Sequence, residues 1–279
     1  MGLVTRFAPS PTGYLHRGHA YSALTAFEAA RARSGRFLLR IEDIDATRCR
    51  PDYEAAILDD LAWLGLTWEE PVRRQSEHMA TYHTALEDLR QRGLVYRCFR
   101  TRRELDIGRA PHEHQTPFRG APLPRLEEEA RLARGEPFAW RLSLEAAAEA
   151  LSGLEPLSFF EAGSGPAGEQ GWIRACPDLA GDIVLARKDV GVAYHLAVVV
   201  DDALQGVSDV IRGEDLFEAA HVQRLLQALL GLPTPTYRHH RLLTGPDGKR
   251  YAKRDKAQSL RDLRASGVTA AALRHDMGL

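Results

Sequence analysis

Two short apolar runs separated by a helical period constrain this chain more than any other feature. Leu3 to Ala8 is mostly apolar and stops at Pro9-Ser10-Pro11-Thr12-Gly13, a stretch that breaks a strand and imposes a loop. From about Gly18 to Arg33, Tyr21, Leu24 and Phe27 recur on one helical face among many alanines. Gly35 closes that segment, and Phe37-Leu38-Leu39-Arg40-Ile41 reads as a buried strand. Strand, loop, helix and strand in that order form a βαβ unit, whose strands must be parallel and whose crossover is right-handed. The expected fold class is therefore α/β, a Rossmann-type parallel sheet. Ligands of such sheets bind at the carboxyl ends of the strands, here Phe7 to Ser10 and Glu42 to Asp45.

Further along, Tyr53, Ile57, Leu61 and Leu64 share a helical face before Gly65. Met79, Tyr82, Leu86 and Leu89 share another before Gly93, with Ser76 as the expected N-cap. Leu94 to Phe99 returns as a strand. The next stretch has a different texture. It is rich in Pro, Gly and His, with a charged helix near Pro124 to Arg134, short strands at Phe138 to Leu142 and Asp182 to Arg187, and a flexible stretch at Gly163 to Gly171. Apolar segments resume at Tyr194, with a strand at Asp209 to Arg212 and a helix at Leu216 to Leu230. The expected division is a first half of the parallel-sheet domain at 1–99, an inserted α+β subdomain at 100–190, a second half at 191–240, and a lysine loop with a short helical end at 241–279.

With 279 residues the chain can bury a substantial core. No apolar run approaches the ~20 residues that cross a bilayer, and the N-terminus lacks an export signal. Cys49, Cys98 and Cys176 are odd in number and far apart, which argues against a disulfide framework and for a cytoplasmic location. The net charge of −1 means that nucleic acid would have to meet local basic surfaces rather than a global field. Of only four lysines, Lys249, Lys253 and Lys256 lie close together; lysine suits a mobile phosphate contact where arginine suits a planar fork.

Four constellations carry chemistry. His16-Arg17-Gly18-His19 opens the first helix, where free N–H groups and a positive dipole end favour an anion, and two imidazoles add donors. Glu42-Asp43-Ile44-Asp45 ends a strand at the ligand crevice; one carboxylate there could hold a substrate ammonium, and a solvated turn capping the next helix accounts for at least one of the three. Arg6 and Arg212 stand at strand ends, so two guanidinium groups and Glu42 would match a dicarboxylic amino acid. The fourth is Gly248-Lys249-Arg250-Tyr251-Ala252-Lys253-Arg254, a candidate phosphate loop.

These segments closely resemble the ordered signatures of glutamyl-tRNA synthetases: Arg6 to His19 the first, Leu39 to Asp45 the second, and Tyr194 to Asp202 with Val210 to Asp215 the third. The resemblance implies that Arg6, Ala8, Ser10, Glu42, Tyr194 and Arg212 form the glutamate pocket. It implies that His16, Gly18 and His19 meet ATP as a HIGH-type motif and Lys253 as the last lysine of a KMSKS-type loop, with His16, His19 and Lys253 catalytic. Arg17 stands where an aliphatic residue is usual, Arg250 where the loop's first lysine is usual, and Ala252 where serine or threonine is usual.

The chain ends shortly after the lysine loop, leaving no room for an anticodon-binding domain, and so resembles the truncated glutamyl-queuosine tRNA(Asp) synthetases. That likeness implies L-glutamate, ATP with Mg²⁺, and tRNA(Asp) carrying queuosine as substrates and partners, with no membrane role. Two other readings stay open: a minimal synthetase charging the tRNA 3′ end, and a silent RNA-binding paralogue. The same relatives often carry zinc in the insertion. Here only Cys98 fits their pattern, Arg100 replaces its partner, and no structural zinc is expected; His112 and His114 are the remaining possible ligands.

Overall fold

Every residue of Val4-Thr5-Arg6-Phe7 is buried, as befits a central strand covered on both faces. In the computed structural model, which describes residues 2–101, 117–154, 156–187, 191–243 and 258–279, this strand is β1 (Val4–Phe7). It is followed by α1 (Arg17–Arg31) and β2 (Arg36–Ile41), and β1 and β2 pair in parallel from Val4↔Arg36 to Phe7↔Leu39. The alanines explain the closeness of the helix. Ala20, Ala23, Ala26 and Ala30 are buried against the sheet with Leu24, and Thr5 Oγ1 donates to the Ala26 carbonyl at 2.9 Å. Gly35 is required at the turn into β2, since a β-carbon there would lie 2.2 Å from the Leu3 carbonyl oxygen.

The chain continues through α2 (Pro51–Trp63), β3 (Arg73–Arg74), α3 (Met79–Gln91), β4 (Val95–Cys98), α4 (Arg125–Ala133), β5 (Ala139–Leu142) and α5 (Leu144–Ala150). Then come β6 (Ser158–Glu161), β7 (Gly171–Arg174), β8 (Val184–Arg187), β9 (Gly191–Val192), α6 (Tyr194–Leu204) and β10 (Asp209–Gly213). The last elements are α7 (Phe217–Leu230), β11 (Thr236–His240), α8 (Leu260–Ala265) and α9 (Ala270–Asp276).

Strand β3 adds to β2 in parallel, and β10, β11 and β6 form a second parallel set with β7 antiparallel at its edge. The two sets meet at β1 and β10, where Ser208 N–H donates to the Val4 carbonyl at 3.0 Å and Val4 N–H to Ser208 Oγ at 2.9 Å. The result is a Rossmann-like parallel sheet with helices. A separate antiparallel sheet runs β4-β5-β8-β9.

The stretch expected as one insertion is thus shared between two sheets. Strands β4 and β9, just outside 100–190, pair with β5 and β8, whereas β6 and β7, inside it, extend the parallel sheet. The reason is packing: Phe159 of β6 is fully buried against Tyr237 and Phe217. Strand periodicity reports which face is apolar, not which neighbour it meets.

Two capping expectations are corrected. Ser76 does not cap α3; its N–H and hydroxyl donate to the Asp43 carboxylate at 2.8 and 2.6 Å, and His78 precedes the helix without a side-chain cap. Nor does the acidic turn cap α2, which begins with Arg50 as an uncapped N-cap and Pro51 in its first turn. The helical end packs back on the first domain half: Leu260, Leu263, Leu273 and Met277 join the core of Leu24, Ile57 and Leu61. No described helix is long and apolar enough to cross a membrane.

Candidate active site

Beyond the carboxyl ends of β1 and β10 lies a cavity of about 590 Å³, lined among others by Arg6, Ala8, Ser10, His16, Gly18, His19, Glu42, Tyr194 and Arg212. All the candidate residues except Lys253 therefore border one hollow. Lys253 and the departures Arg250 and Ala252 lie outside the described residues. Both approaches to their loop are nevertheless anchored at the cavity. Leu242 and Leu243 line it, and on the far side Ser259 bridges to His16 while Leu260 N–H donates to the Leu15 carbonyl at 2.8 Å.

At the start of α1, His16 is the N-cap and its Nδ1 accepts from Gly18 N–H at 3.1 Å. His19 Nδ1 accepts from His16 N–H at 3.2 Å, completing a capping box built from two imidazoles. The rings stack with centroids 3.8 Å apart. Because Nδ1 accepts in each ring, Nε2 carries the ring proton and is the donor. The cap also crowds Gly18, where a β-carbon would lie 3.1 Å from the His16 ring. Arg17, the unusual residue of the turn, points to the C-terminal helix and pairs with Asp276 at 3.4 Å.

The acidic turn divides its labour. Asp43 holds Ser76, Asp45 accepts from Thr47 and Arg48, and Glu42 alone borders the cavity. Glu42 Oε1 accepts from Arg40 at 3.2 Å. Burial raises the Glu42 carboxyl above its ordinary range, against the pull of Arg40 and Arg6. Arg40 is fully buried; burial opposes its charge, but Asp202, Glu42 and Asp201 outweigh that and raise its pKa. Asp202 accepts from Arg40 at 2.8 Å and from Arg6 through two bonds of 3.1 and 3.4 Å. Next to it, Asp201 accepts from Arg73 at 2.7 Å and from Gln75 and Tyr82 at 2.9 Å.

Arg6 and Glu42 are thus not bare charges awaiting a ligand; each is already balanced within the protein. The residues that balance them, Arg40 and Asp202, carry no role in the sequence reading. A signal existed: an arginine inside Phe37-Leu38-Leu39-Arg40-Ile41 must be buried, and a buried charge needs a partner.

Arg212 is held on the other wall. Its Nε donates to His239 Nε2 at 3.0 Å, Nη1 to Gln223 at 2.9 Å and Nη2 to the Leu216 carbonyl at 3.0 Å, with the guanidinium 5.2 Å over the Tyr237 ring. Beside it, burial and the Arg212 charge lower the His195 pKa to about 4.

A second hollow of about 660 Å³ shares Ser10, Glu42 and Tyr194 with the first and is bordered by Phe99, Phe138, Arg100, Arg141 and Arg187. It opens towards the antiparallel sheet. Cys98 ends β4 and is buried. The Arg100 and Arg141 guanidinium groups lie 5.9 and 4.5 Å from the Phe118 ring, and no described cluster of three or more His, Cys, Asp or Glu could hold a metal ion. His112 and His114 lie outside the described residues.

A family model for tRNA synthetases class I (E and Q), catalytic domain, matches residues 2–150 and 169–278. The chain belongs to that family. It is 47% identical to the glutamyl-Q tRNA(Asp) synthetase of Rhodobacter capsulatus, over 99% of this chain and 100% of that protein. It is 41% identical to the glutamyl-Q tRNA(Asp) synthetase of Symbiobacterium thermophilum, over 96% of this chain and 83% of that one. The crystal structure of a glutamate-tRNA synthetase from Elizabethkingia anophelis superposes with a TM-score of 0.76 at 27% identity. There the match covers 96% of this chain but 54% of the other, so this chain spans about half of that longer protein.

Proposed function

We propose that the chain activates L-glutamate with ATP and transfers it to queuosine of tRNA(Asp). The observation that carries this reading is the single cavity flanked by Arg212, Glu42 and the doubly capped His16–His19 turn. In it, Arg212 and Arg6 meet the carboxylates of glutamate, Glu42 meets its ammonium, and the helix end meets the ATP phosphates. The α-carboxylate attacks the α-phosphorus in line; a carboxylate–phosphorus bond forms, the bridge to the β-phosphate breaks, and pyrophosphate leaves. The protein contributes position and charge stabilisation rather than covalent chemistry. His16 and His19 supply Nε2–H donors, and Lys253 a mobile ammonium. Mg²⁺ would travel with the nucleotide, held mainly by its phosphates, and neutralise their charge.

In the second half-reaction a hydroxyl of the queuosine cyclopentene diol attacks the glutamyl carbonyl and AMP departs. The neighbouring hollow, with its arginines and phenylalanines, has the chemistry to seat a nucleotide next to the bound adenylate. Such a reaction belongs in the cytoplasm, where its tRNA is.

Glutamate-dependent ATP–pyrophosphate exchange should proceed without tRNA. Labelled glutamate should then pass to queuosine-containing tRNA(Asp) and not to queuosine-free tRNA(Asp). Equal charging of both would instead assign a synthetase acting at the 3′ end, and no exchange would leave an RNA-binding paralogue. Within the pocket, Arg212→Ala should raise the KM for glutamate by roughly 10- to 100-fold, the worth of a charge-assisted pair, with the KM for ATP little changed. An unaltered glutamate KM would remove Arg212 from the pocket.

A further inference from the structure

Arg212 does not set its own direction. Its Nε–H is always a donor, so His239 Nε2, 3.0 Å away, can only accept. The imidazole proton then belongs on Nδ1, which faces Glu161 Oε2 at 2.6 Å. Glu161 is itself fixed by two backbone donors, His239 N–H at 2.9 Å and Gly163 N–H at 2.8 Å. The fit around Gly163 is tight: a β-carbon there would lie 2.2 Å from the His239 carbonyl oxygen. Glu161, His239 and Arg212 are 1, 2 and 5% exposed, so water does not compete for these bonds.

We propose that Glu161 and His239 are positioning residues for substrate recognition: Glu161 selects the Nδ1–H tautomer of His239, and the resulting Nε2 lone pair orients Arg212 towards the substrate carboxylate. This rests on the reading of Arg212 given above. The chain of bonds is directional, carboxylate to Nδ1–H and Nε2 to guanidinium. With Gln223 and the Leu216 carbonyl on the terminal nitrogens, it leaves one N–H on each terminal nitrogen for a ligand carboxylate. A protonated ring would turn an Nε2–H against the Arg212 Nε–H, so the device works only with neutral His239. Burial, with the Arg212 charge acting in the same sense, lowers the His239 pKa even though Glu161 opposes the shift. The unexpected consequence is that the β6–β7 hairpin, through Glu161, takes part in amino-acid selection.

Two substitutions separate orientation from packing. Glutamine places an amide oxygen near the Nε2 position and can still accept from Arg212; asparagine reaches only the Nδ1 position and leaves the Arg212 Nε–H unpartnered. The expected result for His239→Asn is a glutamate KM raised on the order of tenfold, with ATP KM unchanged, and for His239→Gln a value within about threefold of wild type. Equal losses in both variants, or an unchanged KM in His239→Asn, would overturn the proposal. Should thermal melting find His239→Asn unfolded, Glu161→Gln decides: a several-fold rise in glutamate KM supports the relay and an unchanged KM overturns it. Imidazole ¹⁵N NMR of the wild-type chain gives a readout independent of activity. The expectation is a neutral Nδ1–H ring between pH 6 and 8 (a range on the order of the ordinary histidine titration); an Nε2–H or protonated ring overturns the relay even if exchange is active. If that tautomer is found but Arg212→Ala leaves the glutamate KM unchanged, the substrate reading of Arg212 fails instead.

Discussion

Replacing Asp202 with alanine is expected to lower the stability of the fold by about 3–5 kcal/mol, the cost of leaving buried charge without its partner. Asp202 accepts hydrogen bonds from both Arg6 and Arg40, and Arg40 is fully buried. Glu42 cannot take over. It already accepts from Arg40, and burial pushes its own carboxyl towards the protonated form. Denaturant unfolding with a common m-value checks the figure; a loss under about 1 kcal/mol would mean that the two arginines find other partners or water.

The pH dependence follows from the sign of the shift. Burial disfavours the Asp202 charge, but Arg6 and Arg40 outweigh it and hold the folded carboxyl below its ordinary value. A depressed carboxyl stabilises the fold above the unfolded pKa of about 3.9 and loses that contribution as pH falls through the folded value. The stability gap between wild type and Asp202→Asn should therefore be complete at neutral pH and close in acid.

This network also marks the limit of what the sequence displays. The βαβ opening was legible because period 2 and period 3.6 alternate cleanly around Pro9 to Gly13 and Gly35, where backbone geometry leaves few options. The residues bordering the cavity were legible because ordered signatures place them at strand and helix ends. What those residues bond to was not. Arg6 and Asp202 are far apart in the chain and meet because α6, which carries Asp202, leads into β10, and β10 lies beside β1. His239 and Glu161 lie on strands that pair in parallel across a long connection, and nothing local in either segment announces the other. Glu161 also sat in a stretch expected to belong to the insertion. Its assignment to the parallel sheet depends on Phe159 filling a space between Tyr237 and Phe217, a packing event without a sequence period. Position in the site was written locally; the charge balance that makes the site tolerable was not.

The second large effect is kinetic. His19→Ala should slow glutamate-dependent pyrophosphate exchange by about 10²–10³-fold, the usual loss when one preorganised donor to transition-state charge is removed. The glutamate KM should stay within a few-fold, because on the proposed reading His19 serves the ATP phosphates and Arg212 a substrate carboxylate. Alanine alone leaves an ambiguity: His19 Nδ1 also caps α1 by accepting His16 N–H, and loss of a cap costs about 1 kcal/mol and loosens the turn. Asparagine resolves it. Its amide oxygen sits near the Nδ1 position and can keep that 3.2 Å capping bond, but it has nothing at the place of Nε2–H. If the donor is what matters, His19→Asn melts close to wild type and is nearly as slow as His19→Ala. Recovery of exchange to the wild-type rate in His19→Asn would reduce His19 to a helix cap and leave phosphate stabilisation to the positive dipole end of α1 and the lysine loop.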